Sequence, residues 1–183
     1  VVQPTHILDG IENNIMKEEV LSYKESFDKI AFGTPLLADS KDESQAINAV
    51  TTEFSDLKET EALVFMGHGT EHFANSAYSQ FENMLRDLGH ESTYVGTVEG
   101  FPGLDYVIRR LKIRDIKKVY VMPLMIVAGD HATNDMSGND EDSWKSILEK
   151  EGYSVKCTLK GLGEIQAVRD IFIRHTRAGL DRL

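Results

Sequence analysis

Two short stretches of the chain, Val2–Glu12 and Val121–His131, align without a gap, and Val, Pro, Ile and Gly coincide between them. An internal repeat constrains architecture more than any single motif, because one supersecondary unit must then be used twice. The chain is therefore expected to hold two related α/β halves. Each half ends a strand at a Gly and then presents a side chain able to bind a metal or carry a proton. That side chain is Glu12 in one half and His131 in the other. The repeat sets the two residues facing each other across a cleft.

The remaining pattern alternates strands with helices. Val1–Leu8 and Lys29–Phe32 read as strands of the first half, with helices marked by Ile11, Ile15 and Leu21 and by Ile47, Val50, Phe54 and Leu57. Asp42 or Ser44 is the expected cap of the second of these. Ala62–Met66 is a continuous apolar run, as expected of a strand buried on both faces of a parallel sheet. It stops at Gly67-His68-Gly69-Thr70. Phe73, Ala77, Phe81, Leu85 and Leu88 then form an amphipathic helix closed by Gly89. Further strands are expected at 93–98, 119–127 and 154–159. Between and after them come helices marked by Leu104–Leu111, by Trp144, Ile147 and Leu148 behind a cap at Asn139 or Asp140, and by Ile165–Phe172. Such alternation means βαβ units and a parallel sheet. The expected division is 1–57 for the remainder of the first half and 58–183 for the second. The second half carries a strand and helix (62–89) that the first lacks, so symmetry predicts roughly 50–80 further residues upstream.

Composition narrows the function classes. A net charge of −10 opposes nucleic acid and anionic membrane surfaces as partners. No apolar run approaches the roughly 20 residues needed to span a bilayer. The single cysteine, Cys157, excludes an internal disulfide framework and a cysteine-rich metal site, and is expected in a buried strand. A soluble chain with one cysteine has the cytoplasm as its default setting. Oligomeric state is left open, a homo-oligomer included.

In open parallel sheets, ligands bind beyond the carboxyl ends of the strands. His68, Glu99, His131 and, through the repeat, Glu12 all fall there. Imidazole and carboxylate together suit Co²⁺, Fe²⁺, Ni²⁺ or Zn²⁺, and the same groups can instead take protons from a substrate. Two blander readings stand beside these. A histidine near a helix start is commonly a solvated or capping group, and Gly67-His68-Gly69-Thr70 could be a phosphate-binding turn. His72, His90 and His175 are expected at the surface, and His6 is ambiguous. The acidic residues Asp130, Asp135, Asp140, Glu141 and Asp142 read as a solvated loop.

Three ordered motifs add a family resemblance. They are Met66-Gly-His-Gly-Thr-Glu-His-Phe-Ala-Asn-Ser-Ala-Tyr78, Gly96-Thr-Val-Glu-Gly-Phe-Pro102 and Met122-Pro-Leu-Met-Ile-Val-Ala-Gly-Asp-His-Ala-Thr-Asn-Asp-Met136. Together they resemble the anaerobic sirohydrochlorin cobaltochelatases, class II chelatases related to protoporphyrin ferrochelatase, over essentially the whole chain. The resemblance implies two flavodoxin-like halves with parallel sheets flanked by helices, the first half incomplete, and a tetrapyrrole in the cleft. It implies insertion of Co²⁺, as substrate metal, into sirohydrochlorin or precorrin-2, with no organic cofactor. His68, Glu99 and His131 match the family's metal ligands, and Glu12 matches a further active-site acid. His68 is then both ligand and proton acceptor, with Glu12 as second base. Gly67, Gly69, Thr70, Phe101 and Pro102 would border the macrocycle, Gly100 to Pro102 forming an apolar wall. Arg109, Arg110 and Lys112 are candidates for the substrate's carboxylates. The alternatives are a non-catalytic metal- or tetrapyrrole-binding protein, a ferrochelatase-type activity with Fe²⁺, and a module binding a phosphate-bearing cofactor.

Overall fold

A computed structural model describes residues 1–183. Its centre is a four-stranded sheet of β1 (Glu61–Gly69), β2 (Thr93–Glu99), β3 (Lys118–Pro123) and β4 (Ser154–Cys157). The spatial order is β2-β1-β3-β4, and every pairing is parallel. Alternation along β1 divides the core between the two faces of the sheet. Leu63 and Phe65 join a cluster with Ile47, Val50, Phe81 and Ile171, whereas Ala62, Val64 and Met66 join Val107, Trp144 and Leu148. The first face is covered by α2 (Ser40–Thr51), α3 (Ser76–Asp87) and α6 (Gln166–Leu180), and the second by α4 (Leu104–Leu111) and α5 (Trp144–Lys150). Residues buried from both sides must be apolar throughout, which is why β1 reads as an unbroken run.

The first 39 residues are tied to one another by backbone bonds and to the sandwich by the packing of Leu36 and Leu37. The expected strands Val1–Leu8 and Lys29–Phe32 shrink to one parallel bridge, Val2 with Phe32. Beyond it, Leu36 and Leu37 donate N–H to the carbonyls of His6 and Ile7 at 3.0 and 2.9 Å. Leu36 and Leu37 then sink into the α2–α6 core. Residues 36–51, assigned to the first half by sequence, therefore share a core with the second half. Helix α1 (Ile11–Ser22) forms as expected, but Ile11, Ile15 and Leu21 are exposed.

Other departures have local causes. Asp39, not Asp42 or Ser44, caps α2, accepting the Asp42 N–H at 2.9 Å. Ser143 caps α5 in place of Asn139 or Asp140. Strand β3 ends at Pro123, four residues early. The apolar run beyond it bonds instead to the 162–163 turn, through Leu162 N–H to Met125 O and Gly163 N–H to Ile126 O, and Val127 is left exposed. Phe73 and Leu88, expected on the buried face of α3, are exposed. Cys157 ends the edge strand β4 and is half-buried. No helix is long and apolar enough to cross a membrane.

Candidate functional site

β1 runs past Met66 through Gly67, His68 and Gly69, so His68 belongs to the strand's carboxyl end and not to a turn after it. Beside it, residues 131–136 wind into one turn of π-helix that opens with His131. The His68 and His131 rings meet edge to face, centroids 4.7 Å apart and planes at 89°. Their hydrogen bonds set the tautomers. His68 Nδ1 lies 2.9 Å from the carbonyl of Gly69, which can only accept, so Nδ1 carries the proton. His131 Nδ1 lies 2.5 Å from Asp135 Oδ2, one π-turn on, and is held in the same tautomer. In the neutral form each ring thus keeps an Nε2 lone pair for another partner. A second atom that fixes the tautomer of a ligating histidine is a regular feature of metal sites.

Gly69 adopts φ +84°, and a Cβ there would strike the carbonyl oxygen of Glu99, so the chain can turn out of the sheet only with glycine. Gly67 serves a different purpose. The Tyr78 ring stands 2.4 Å from where a Cβ would be, and Gly67 is buried and does not border the cavity. Burial pushes the Tyr78 phenol up to about 12, backbone hydrogen bonds at Gly69 and His68 pull the other way, and the Glu12 carboxylate adds to the rise.

A cavity of about 190 Å³ opens at this strand end, bordered by His68, Gly69, Thr70, Tyr78, Glu12 and His6. Met125, which the repeat pairs with His6, lies on the same wall. The Nδ1 of His6 is buried without a partner. Glu12 stands in the first turn of α1, where the helix dipole favours a carboxylate. A larger cleft, about 610 Å³, lies beside the amino end of β1 between Glu53, Glu61 and Tyr120, away from the two histidines.

The sequence-derived site is thus brought together in part. His68 adjoins His131, and Glu12 shares the cavity with His68. Glu99, the register partner of Gly69, ends β2 exposed, and no three His, Cys, Asp or Glu side chains converge closely enough to hold a metal. Pro102 is buried, its carbonyl accepting from Thr97 N–H and Oγ1, so of the proposed apolar wall only Phe101 presents a side chain, its ring 5.1 Å from Tyr106. Against the phosphate-turn reading, the Thr70 N–H is already taken by Asn75 Oδ1, and a 3-10 turn, Phe73–Asn75, stands between Gly67–Thr70 and α3. Arg109 pairs with Asp105 and Lys112 with Glu151, and neither they nor Arg110 borders the cavity.

Two residues went unrecognised in the sequence. Asn75 accepts the Thr70 N–H at 2.9 Å and donates to the Phe101 carbonyl, joining the loops after β1 and β2. Tyr78 braces the β1 end. Both sit in a helical stretch whose spacing reads simply as core. His175, expected at the surface, is 4% exposed, with Nδ1 2.9 Å from Thr34 O and Nε2 2.8 Å from Asp42 Oδ2.

Residues 1–181 match the family described as Cobalt chelatase (CbiK). The chain is 37% identical over 180 residues to the sirohydrochlorin cobaltochelatase of Salmonella typhimurium, covering 98% of this chain and 68% of that protein. It is 36% identical over 185 residues to the sirohydrochlorin cobaltochelatase CbiKC of Nitratidesulfovibrio vulgaris, covering 100% and 65%. The chain therefore spans about two thirds of the length of these curated relatives. Among solved structures, SirB from Bacillus subtilis with Fe³⁺ superposes with a TM-score of 0.67 at 15% identity, over 96% of this chain and 69% of that one. A multi-domain Deinococcus radiodurans protein with structural similarity to chelatases follows, at TM-score 0.54 and 14% identity, over 79% and 30%. At these identities the likeness is one of fold.

Proposed function

The chain belongs to the cobalt chelatase (CbiK) family, and on that premise we propose that it inserts Co²⁺ into sirohydrochlorin or precorrin-2 for cobalamin biosynthesis, at the carboxyl end of β1. The observation that carries this reading is the His68–His131 pair, with both Nδ1 atoms committed and both Nε2 lone pairs free. Two neutral imidazoles at this spacing suit a borderline divalent ion.

Metallation exchanges two pyrrole N–H protons for one divalent ion, so the site must hold the ion and receive two protons. The Nε2 atoms of His68 and His131 bind the incoming Co²⁺. Glu12, across the cavity from the ion, accepts the first pyrrole proton. As the ion passes to the ring nitrogens it releases His68 Nε2, which accepts the second; both protons then leave to solvent. Glu99 enters the ion's coordination by a side-chain rotation from its exposed position. Phe101 and Thr70 meet the macrocycle at the rim. The reaction asks for no organic cofactor, and the setting is cytoplasmic.

The test follows the absorbance of anaerobic sirohydrochlorin with Co²⁺, for the unaltered chain, for His68→Ala and without protein. Spectral conversion by the unaltered chain, with His68→Ala at background, is the expected result. Equal rates for the two proteins would overturn the role of His68, and an unaltered chain at background would leave only metal or tetrapyrrole binding.

A further inference from the structure

At the opposite end of β2 from Glu99, three arginines gather round Tyr94. Arg86 comes from the last turn of α3, Arg110 from the last turn of α4 and Arg114 from the turn that follows. With Glu91, Tyr94 and Ile113 they border a cavity of about 290 Å³. Such a concentration of positive charge is unexpected in a chain of net charge −10.

The carboxylates present do not neutralise it. Glu82, nearly fully buried, accepts the Val95 N–H at 2.8 Å with one oxygen. Its other oxygen takes Arg86 Nη2 and, at 3.5 Å, Arg110 Nη1. Glu91 pairs with Arg114 at 2.6 Å, and Ser92 Oγ accepts from the same guanidinium at 3.0 Å. Three guanidiniums thus face two carboxylates. The remaining partners are neutral: Asn83 Oδ1 for Arg86, Tyr106 Oη for Arg110, and the Tyr94 and Tyr106 rings under Arg110 at 5.9 and 5.7 Å. Arg86 Nε is buried and finds no acceptor. A buried donor left without an acceptor is unfavourable and calls for an explanation, a bound ion among them. Burial, and then the charge of Arg110, hold Arg86 below the usual guanidinium range, so the cluster is held together against its own repulsion.

We infer that the amino end of β2 is a binding site for a small multivalent oxyanion of the phosphate class, held by Arg86, Arg110 and Arg114. Guanidinium forks match tetrahedral oxyanions in pairs of parallel N–H···O bonds. The anion supplies the missing negative charge and lies against the cationic wall of the cavity. The site is at the other end of the strand from the two histidines, so its ligand is distinct from the tetrapyrrole and its existence does not depend on the chelatase reading.

Backbone amide spectra of the full chain, titrated with inorganic phosphate against chloride at matched ionic strength, test the assignment. Saturable shifts confined to residues around Arg86, 91–94 and 110–114 are expected. Arg114→Gln and Arg110→Gln should each weaken binding by about tenfold, the effect of losing one charge-assisted hydrogen bond, while His68→Ala leaves the isotherm unchanged. Both arginines are partly exposed, and a melting curve on each variant establishes that it is folded before titration. Shifts that rise linearly, that chloride reproduces, or that persist unaltered in both variants would overturn the site.

Discussion

A methyl group on Gly67 would stand 2.4 Å from Tyr78 Cε1, so Gly67→Ala must push the ring off the strand that carries His68. Overpacking of this kind costs about 1–3 kcal/mol. Denaturant melts should show that loss, and the rate of cobalt insertion should fall with it, because His68 is the next residue. Tyr78 itself reports on this packing through pH. Its phenol ionises at about 12 in the folded chain against 10.0 when unfolded. The folded pKa is the raised one, so this contribution is intact below pH 10 and is lost as pH climbs through 12, about 2–3 kcal/mol in all. Tyr78→Phe should abolish that alkaline slope and remove the latest-titrating component of the tyrosinate absorbance. Asp135 bears on His131 in another way. Without its carboxylate nothing fixes the proton on Nδ1, so Asp135→Ala should weaken Co²⁺ binding by about 10–100-fold, read from the visible absorption of the bound ion, with little change in the melt. An unchanged Co²⁺ affinity would show that the tautomer is set elsewhere.

Helices α2 and α6 are joined through a buried carboxylate. Asp42 is 2% exposed and meets both Arg174, at 2.5 Å, and His175, at 2.8 Å, while His175 Nδ1 reaches the Thr34 carbonyl. Asp42→Asn takes the carboxylate from the buried His175 ring, whereas Arg174, 41% exposed, can turn to water, so the substitution should destabilise the fold by about 1–3 kcal/mol, measured by denaturant melting; a change below about 0.5 kcal/mol, the ordinary surface value, would show that the contact contributes nothing. The contact also marks the limit of what the sequence shows about elements. His175 lies on α6 at a position that periodicity makes neither clearly core nor surface, and its partner is 133 residues away in the chain (175 − 42). Strands and helices around β1 to β4 are legible because apolar runs and 3.6-residue spacing record burial directly. Ile11 and Ile15 also have that spacing, but spacing names a helix face without naming what covers it, and here they stand exposed. Caps slip by a few residues where Asp39, Asp42 and Ser44 compete. The π-turn at His131 leaves no periodic trace at all. At the candidate site, the juxtaposition of His68 and His131 is legible because both stand at or after the carboxyl ends of strands of one parallel sheet, whereas Asn75 and Tyr78 make contacts between loops that one sequence does not reveal.

Over the whole molecule the charge of −10 acts on the two substrates with opposite sign. A divalent cation is drawn toward the acidic surface, including Asp130 and Asp135 beside His131, and a polycarboxylate tetrapyrrole is repelled by it. Salt screens both effects, since the Debye length falls to about 8 Å at physiological ionic strength. Raising salt from about 10 mM, where that length is about 30 Å, should therefore raise the KM for Co²⁺ and lower the KM for the tetrapyrrole. Steady-state titrations of each substrate at saturating levels of the other separate the two slopes. Parallel slopes would mean that the field near His68 is set by local groups and not by the surface as a whole. Opposed slopes would mean that an acidic exterior gathers the metal, while local contacts must hold the macrocycle against the molecule's own charge.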